Sequence, residues 1–434
     1  MRHLLLLLLW VVLSVAASDN PAYELPPINY SKTKPNDPVA ALKSRIEAGE
    51  VKLKPNDSHG YLKAFLSELK IPIASQTLVF SKTSLQRQKI WPRLPRALYF
   101  NDDVYVGWVN NGEVLEISSV DPQLGAIFYT VSQNTESPPR ITRQTHNCLQ
   151  CHDSNAMTLG IPGHMVRSVF PDDEGMPNYS MGTFRTNDRS PYGERWGGWY
   201  VTGEHGSMRH MGNVIYPNEP NPDMKLYGEL GANKTDLSQL VAINNYLTDS
   251  SDIVALMVLE HQAYVHNQIA RANQETRLAV LQSDEINKLT ETPKEKLTDG
   301  AKSRIRGNCD SLLEALLFVE EAPLQDPVKG NSTFATDFEA RGPFDAKGRS
   351  LRQFDLRTRM FKYPCSYLVY SESFTGLPKA AKEYLSDRMY KILSGADTSK
   401  QFAHLTAADR TALLEILRAT LPDFTASWPT VPAK

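Results

Sequence analysis

The chain has 434 residues, 41% of them apolar, with 47 basic and 49 acidic side chains for a formal charge of −2. That is enough for two or three packed units with ordinary globular cores. The near-balance of charge excludes the broad basic field that nucleic acid or an acidic membrane surface would need, so neither is an expected partner.

Met1-Arg2-His3 is a short basic start, Leu4 to Leu13 is wholly apolar, and Val15-Ala16-Ala17-Ser18 is a run of small residues. This order reads as a secretory signal peptide over 1–18. The apolar run is about half of the ~20 residues a bilayer crossing needs. The expectation is export to a bacterial periplasm or beyond, with no stable membrane insertion after cleavage.

Residues 19–76 read as a helical segment. Asp37 is placed to cap a helix with Pro38 at its first position and Gly49 as its stop, and "SHGYLKAFLSELK" supplies a second helix. From Thr77 the pattern changes to strands, and residues 77–225 form a β-rich region. Within it "LYFNDDVYVGWVNNGEVLEISSV" alternates around Asn110-Asn111-Gly112, a hairpin signal, and "GAIFYTVSQ" adds a strand. Residues 226–325 are mainly helical: "SDIVALMVLEHQAYVHNQIARAN" begins at a Ser251 or Asp252 cap and carries His261 and His266. Residues 326–434 return to loops and strands, including "CSYLVYSESF", before two last helices, the second capped by Thr406. The fold class is therefore α+β, with a β-rich centre flanked by helical segments.

The chemistry concentrates at "THNCLQCHDSN", residues 145–155, which holds two of only four cysteines. A thioredoxin-type pair would open a helix after a strand in a βαβ unit, and this stretch lacks that pattern. A zinc knuckle would need a second close ligand pair. C-x-x-C-H is the attachment signature of c-type haem and uses all three residues: Cys148 and Cys151 as thioether anchors, His152 as the proximal iron ligand. Cys309 and Cys365 are left either as a disulfide or as two buried thiols.

In "CLQCH" the chain resembles the c-type cytochromes. The resemblance spans five residues and their surroundings. It implies one covalent haem c on Cys148 and Cys151, His152 beneath the iron, and attachment in a bacterial periplasm. A distal ligand would be sought 50 to 70 residues downstream, where "VTGEHGSMRHMGNV" offers His205, Met208, His210 and Met211. Met211 and His210 come first, because Gly206 and Gly212 would let this backbone approach a flat cofactor. His205, Met208, His164 and His261 are further candidates, and His164 is also placed, with Arg167, as a neighbour of the haem propionates. With an open iron, His205, Arg209 and His210 would be the acid/base or charge-stabilising set. Trp196 and Trp199 are expected either to cover a haem edge or to pack in a loop-rich layer. Arg349, Ser350 and Arg352 would hold an anion or form a salt-bridged turn.

The leading functional expectation is an exported monohaem cytochrome passing single electrons to a periplasmic redox partner. A haem-dependent peroxidase or oxygenase is the alternative, and a haem-bearing sensor or subunit of a larger complex the third.

Overall fold

A computed structural model describes residues 21–429 apart from 57, 137 and 218–222. The expected signal peptide over 1–18 lies outside the described residues. The molecule is mixed α and β, built on a seven-stranded antiparallel sheet. Its strands are β1 (Thr77–Val79), β2 (Arg96–Phe100), β3 (Val104–Trp108), β4 (Val114–Asp121), β5 (Gly125–Ser132), β6 (Ile141–Gln144) and, after a second small sheet, β9 (Trp199–Tyr200). The small sheet pairs β7 (Arg167–Val169) with β8 (Thr183–Arg185). The spatial order is β6-β5-β4-β3-β2-β1-β9, so β2 to β6 follow one another as a meander and β9 returns to the far edge. The Asn110–Gly112 signal is the β3–β4 turn, with Asn111 in the left-handed region at φ 54°.

Alternation gives the sheet two faces with different partners. Tyr99, Val106, Ile117 and Tyr129, in register across β2 to β5, pack against Leu42 and the Tyr61–Leu66 stretch. This is the helical N-terminal segment, in which Asp37 caps the helix Pro38–Glu47 by accepting from Val39 N and Ala40 N. The other face carries Phe100, Tyr105, Ser118 and Phe128, and turns toward the helix Ile253–Leu289 and the stretch 145–198.

That long helix starts at Asp252, whose carboxylate accepts from Val254 N and Ala255 N. Its polar side chains tie it to the ends of the strands: Gln262 Nε2 donates to Asn101 O (2.7 Å), Asn273 Nδ2 to Pro122 O (2.6 Å) and Gln274 Nε2 to Leu124 O (3.0 Å). Helices Asp299–Leu316, Lys379–Leu393 and Ala407–Thr420 complete the second core, the last through the expected Thr406 capping box with Asp409.

One local expectation is corrected. "CSYLVYSESF" forms the 3-10 turn Tyr367–Tyr370 and the short helix Glu372–Thr375 rather than a strand, and no ladder strand is found among the described residues of 326–429. Ser366 and Ser371 accept from the backbone N–H groups of Leu368 and Phe374, closing turns that compete with extended pairing. Among the described residues no helix is long and apolar enough to cross a membrane.

Candidate haem-attachment site

β6 ends at Gln144, and the chain then enters a single helical turn, Leu149–His152. The turn is anchored by Leu149, which is buried with the N-terminal core, and by Asp153, which accepts from Tyr23 Oη. Cys148 is half-buried against the N-terminal core, Cys151 is exposed, and the two are not bonded to each other. Burial, with the Glu116 carboxylate and Cys151 adding to it, pushes the Cys148 thiol up to about 11. It is therefore held in the neutral thiol form.

His152 is oriented by one backbone group. Its Nδ1 lies 2.9 Å from the carbonyl oxygen of Gly163. A carbonyl only accepts, so Nδ1 carries the proton and Nε2 keeps a lone pair. No protein group takes that lone pair among the described contacts. Burial lowers the His152 pKa, which favours the neutral imidazole a metal requires.

Beneath the turn the sheet offers a row of side chains in register, Tyr105, Ser118 and Phe128 on β3, β4 and β5. A row of histidines lies on them. Phe128 packs on His152 (ring centroids 4.6 Å), Ser118 Oγ bonds His164 Nε2 (2.8 Å), and Tyr105 contacts both His164 (4.5 Å) and His266 (6.3 Å). His164 is fixed at its backbone by Asn267, whose Oδ1 accepts from His164 N (2.8 Å) while its Nδ2 donates to His164 O (2.7 Å). His266 Nε2 donates to Asp102 O (2.8 Å). The Nδ1 atoms of His164 and His266 are buried without a partner, and burial lowers both pKa values, that of His266 to about 4.

The stretch 205–211 is gathered elsewhere. His205 donates through Nδ1 to Met208 O (2.8 Å) and accepts at Nε2 from Asn233 N (3.0 Å), so both nitrogens are used. His210 accepts at Nδ1 from Gly212 N (3.0 Å), which makes its buried Nε2 a donor, and it packs on Trp196 and Tyr192. Met208 Sδ accepts from Gln325 N, and Met211 Sδ from Ser168 Oγ in a cluster with Phe170, Val214 and Tyr216. Arg209 is paired with Glu229 at 2.7 Å. Gly206 and Gly212 do allow close approach, but to the protein itself: a Cβ at either would come within 2.6 Å of Asp326 or Val201.

His261 is fully buried between Asp188 (Nδ1 to Oδ1, 3.3 Å) and Ser366 Oγ (Nε2, 2.8 Å), and stacks on Phe318. Thus, of the nominated distal residues, His164 shares the Phe128 contact with His152, whereas Met211, His210, His205, Met208 and His261 make their contacts in other clusters. Trp196 and Trp199 are buried in the large core, the packing role expected for them. Arg349 pairs with Asp345 and Glu415, and Arg352 with Asp102, the salt-bridged option for that segment. Cys309 and Cys365 are buried free thiols, each pushed up to about 12 by burial.

Gly163, Asn267, Ser118 and Phe128 carry this geometry, yet no sequence signal marked them. No protein-family model, no curated protein and no solved structure matches the chain.

Proposed function

We propose that the protein binds one haem c through Cys148, Cys151 and His152 and passes single electrons to a redox partner in a bacterial periplasm. The observation that carries this reading is the single turn Leu149–His152. Two unjoined thiols, one half-buried and one exposed, flank it while the bond from His152 Nδ1 to Gly163 O leaves Nε2 with a free lone pair. These residues fit the group: the neutral thiols are suited to thioether formation and the neutral imidazole to iron. When bound, the haem iron supplies one-electron oxidation and reduction.

The protein's own contribution is to hold the ligand and limit its motion. The Gly163 carbonyl fixes the His152 tautomer and makes the imidazole a better donor, a tuning that an outer partner typically exerts on a metal-bound histidine. Phe128 packs against the ring and restricts its rotation. Carriage of electrons is favoured over peroxidase-type catalysis because His205 spends both ring nitrogens on backbone partners, His210 spends one, and Arg209 is paired with Glu229.

The test is to export the full chain in a bacterium that matures c-type cytochromes, then record intact mass and absorption. One covalent haem is expected, absent when Cys148 and Cys151 are both changed to Ser, with a low-spin spectrum that ignores carbon monoxide. A chain recovered without covalent haem overturns the reading. A high-spin iron that binds carbon monoxide favours the catalytic alternative.

A further inference from the structure

Close to the haem-attachment turn, the two-stranded sheet β7–β8 places Arg167 directly opposite Arg185. Residues in direct register on an antiparallel pair project to the same face with Cβ atoms about 5 Å apart, and like charges there lower stability. Several half-buried or buried arginines of this protein answer an acid, as in Arg96–Glu116, Arg195–Glu260, Arg304–Glu275 and Arg359–Asp409. Arg167 and Arg185 form no ion pair among the described residues, and their contacts are neutral. Arg167 Nη2 donates to Thr183 Oγ1 (3.1 Å) and its guanidinium lies over the Tyr179 ring, while Arg185 Nη1 donates to Ala156 O (3.3 Å) and Met157 O (3.1 Å). Arg167 Nε is moreover buried with no acceptor.

Two half-buried cations in register, without an acid and with a donor unspent, lack a counter-charge. Their position indicates where it would come from. The carbonyls that Arg185 holds follow His152 by four and five residues, and a narrow cleft lined by Leu159, His164, Met165, Arg185 and Asn267 lies between β8 and the long helix. The planar donor fork of a guanidinium matches a carboxylate, whose two oxygens can accept from two different arginines.

We propose that Arg167 and Arg185 form a carboxylate clamp beside the haem-attachment turn. The carboxylate is either a haem propionate, in which case the clamp rests on the proposed haem reading, or a small free organic acid. The clamp removes the repulsion between the two arginines only when it is filled.

The experiment compares the full chain made with and without haem maturation, in wild type, Arg185→Gln and Arg167→Gln, by thermal midpoint. Succinate is the probe, with sodium chloride at matched ionic strength as control. In the haem-free chain, succinate is expected to raise the wild-type midpoint by a few degrees beyond the salt control. At least one Gln variant is expected to raise it without succinate and to lose the succinate response. Arg167→Gln serves if loss of the Ala156 and Met157 contacts masks the gain in Arg185→Gln. In the haem-loaded chain, a propionate occupant predicts that the variants lower the midpoint and succinate has no effect; a free acid predicts that the succinate response persists. A haem-free wild type indifferent to succinate, with neither variant gaining stability, overturns the clamp. If the chain takes up no haem, the haem reading fails while the haem-free arms still judge the clamp.

Discussion

Gly163 is where a single residue governs most of the candidate site. Its carbonyl orients His152, and it has no room for a side chain: a Cβ would lie 2.6 Å from Asn267 Oδ1 and 3.0 Å from Thr158 Cβ. Gly163→Ala should therefore push Asn267 off the His164 backbone and destabilise the fold by about 1–3 kcal/mol, measurable as a lower urea midpoint. Asn267→Ala should cost a similar ~1–3 kcal/mol by leaving the N–H and C=O of His164 buried without partners. Both variants should keep covalent haem on the proposed function, since neither touches Cys148 or Cys151. Cys148, Cys151 and His152 could be nominated from sequence because the proposed haem attachment would draw on contiguous residues. Gly163 and Asn267 were not, since one acts through a carbonyl and the other lies 104 residues further along the chain.

At the scale of the element, the helix Ile253–Leu289 carries an unusual polar load into the core. Asp252 caps it and at the same time accepts through Oδ2 from Ser332 N (2.9 Å) and Ser332 Oγ (2.7 Å). Asp252→Ala removes both sets, and a loss of roughly 2 kcal/mol or more is expected, at or above the upper end for a cap alone. Two turns into the helix, Glu260 faces Arg195 at 3.3 Å with both side chains buried. Burial outweighs the attraction of Arg195 and raises the Glu260 pKa from 4.5 to about 7. The folded state thus holds this proton more tightly than the unfolded chain. The stabilisation is fully present below about pH 4.5 and is lost as pH rises through about 7. Glu260→Gln should flatten this part of the stability profile, so the wild-type urea midpoint should fall more steeply than the variant's between those values. The helix itself was readable from Asp252 and the apolar run after it. Its internal polar partners were not, because Arg195, Asp188 and Ser366 reach it from segments whose approach depends on tertiary contacts.

For the whole molecule, strands β2 to β5 were legible because alternation and turn residues act between neighbours in sequence, whereas β6 carried no such signal. The return of β9 to the β1 edge and the register of β7 on β8 were not, since each pairs short strands across loops. The same limit explains the apolar run after Cys365, where local serine caps defeated a strand-like pattern. It also explains why the cluster 205–211 looked like a cofactor pocket: its histidines and methionines are dense in sequence, but their partners Asn233, Gln325 and Ser168 come from other segments.

The strand order has a mechanical consequence. The segment from 145 to 198 leaves the sheet at β6 on one edge and rejoins it at β9 on the other, so it is a strap fastened at both ends by backbone pairing. Its exposed turn at Asp173-Glu174 is the kind of site a protease can reach. A single cut there should not release either part, because each remains paired to the sheet or packed on the long helix. We expect nicked protein to elute as one species on size exclusion and to separate only in denaturant, with the two fragments able to reassociate on its removal. Separation under native conditions would mean that the strap contributes less cohesion than its anchoring implies.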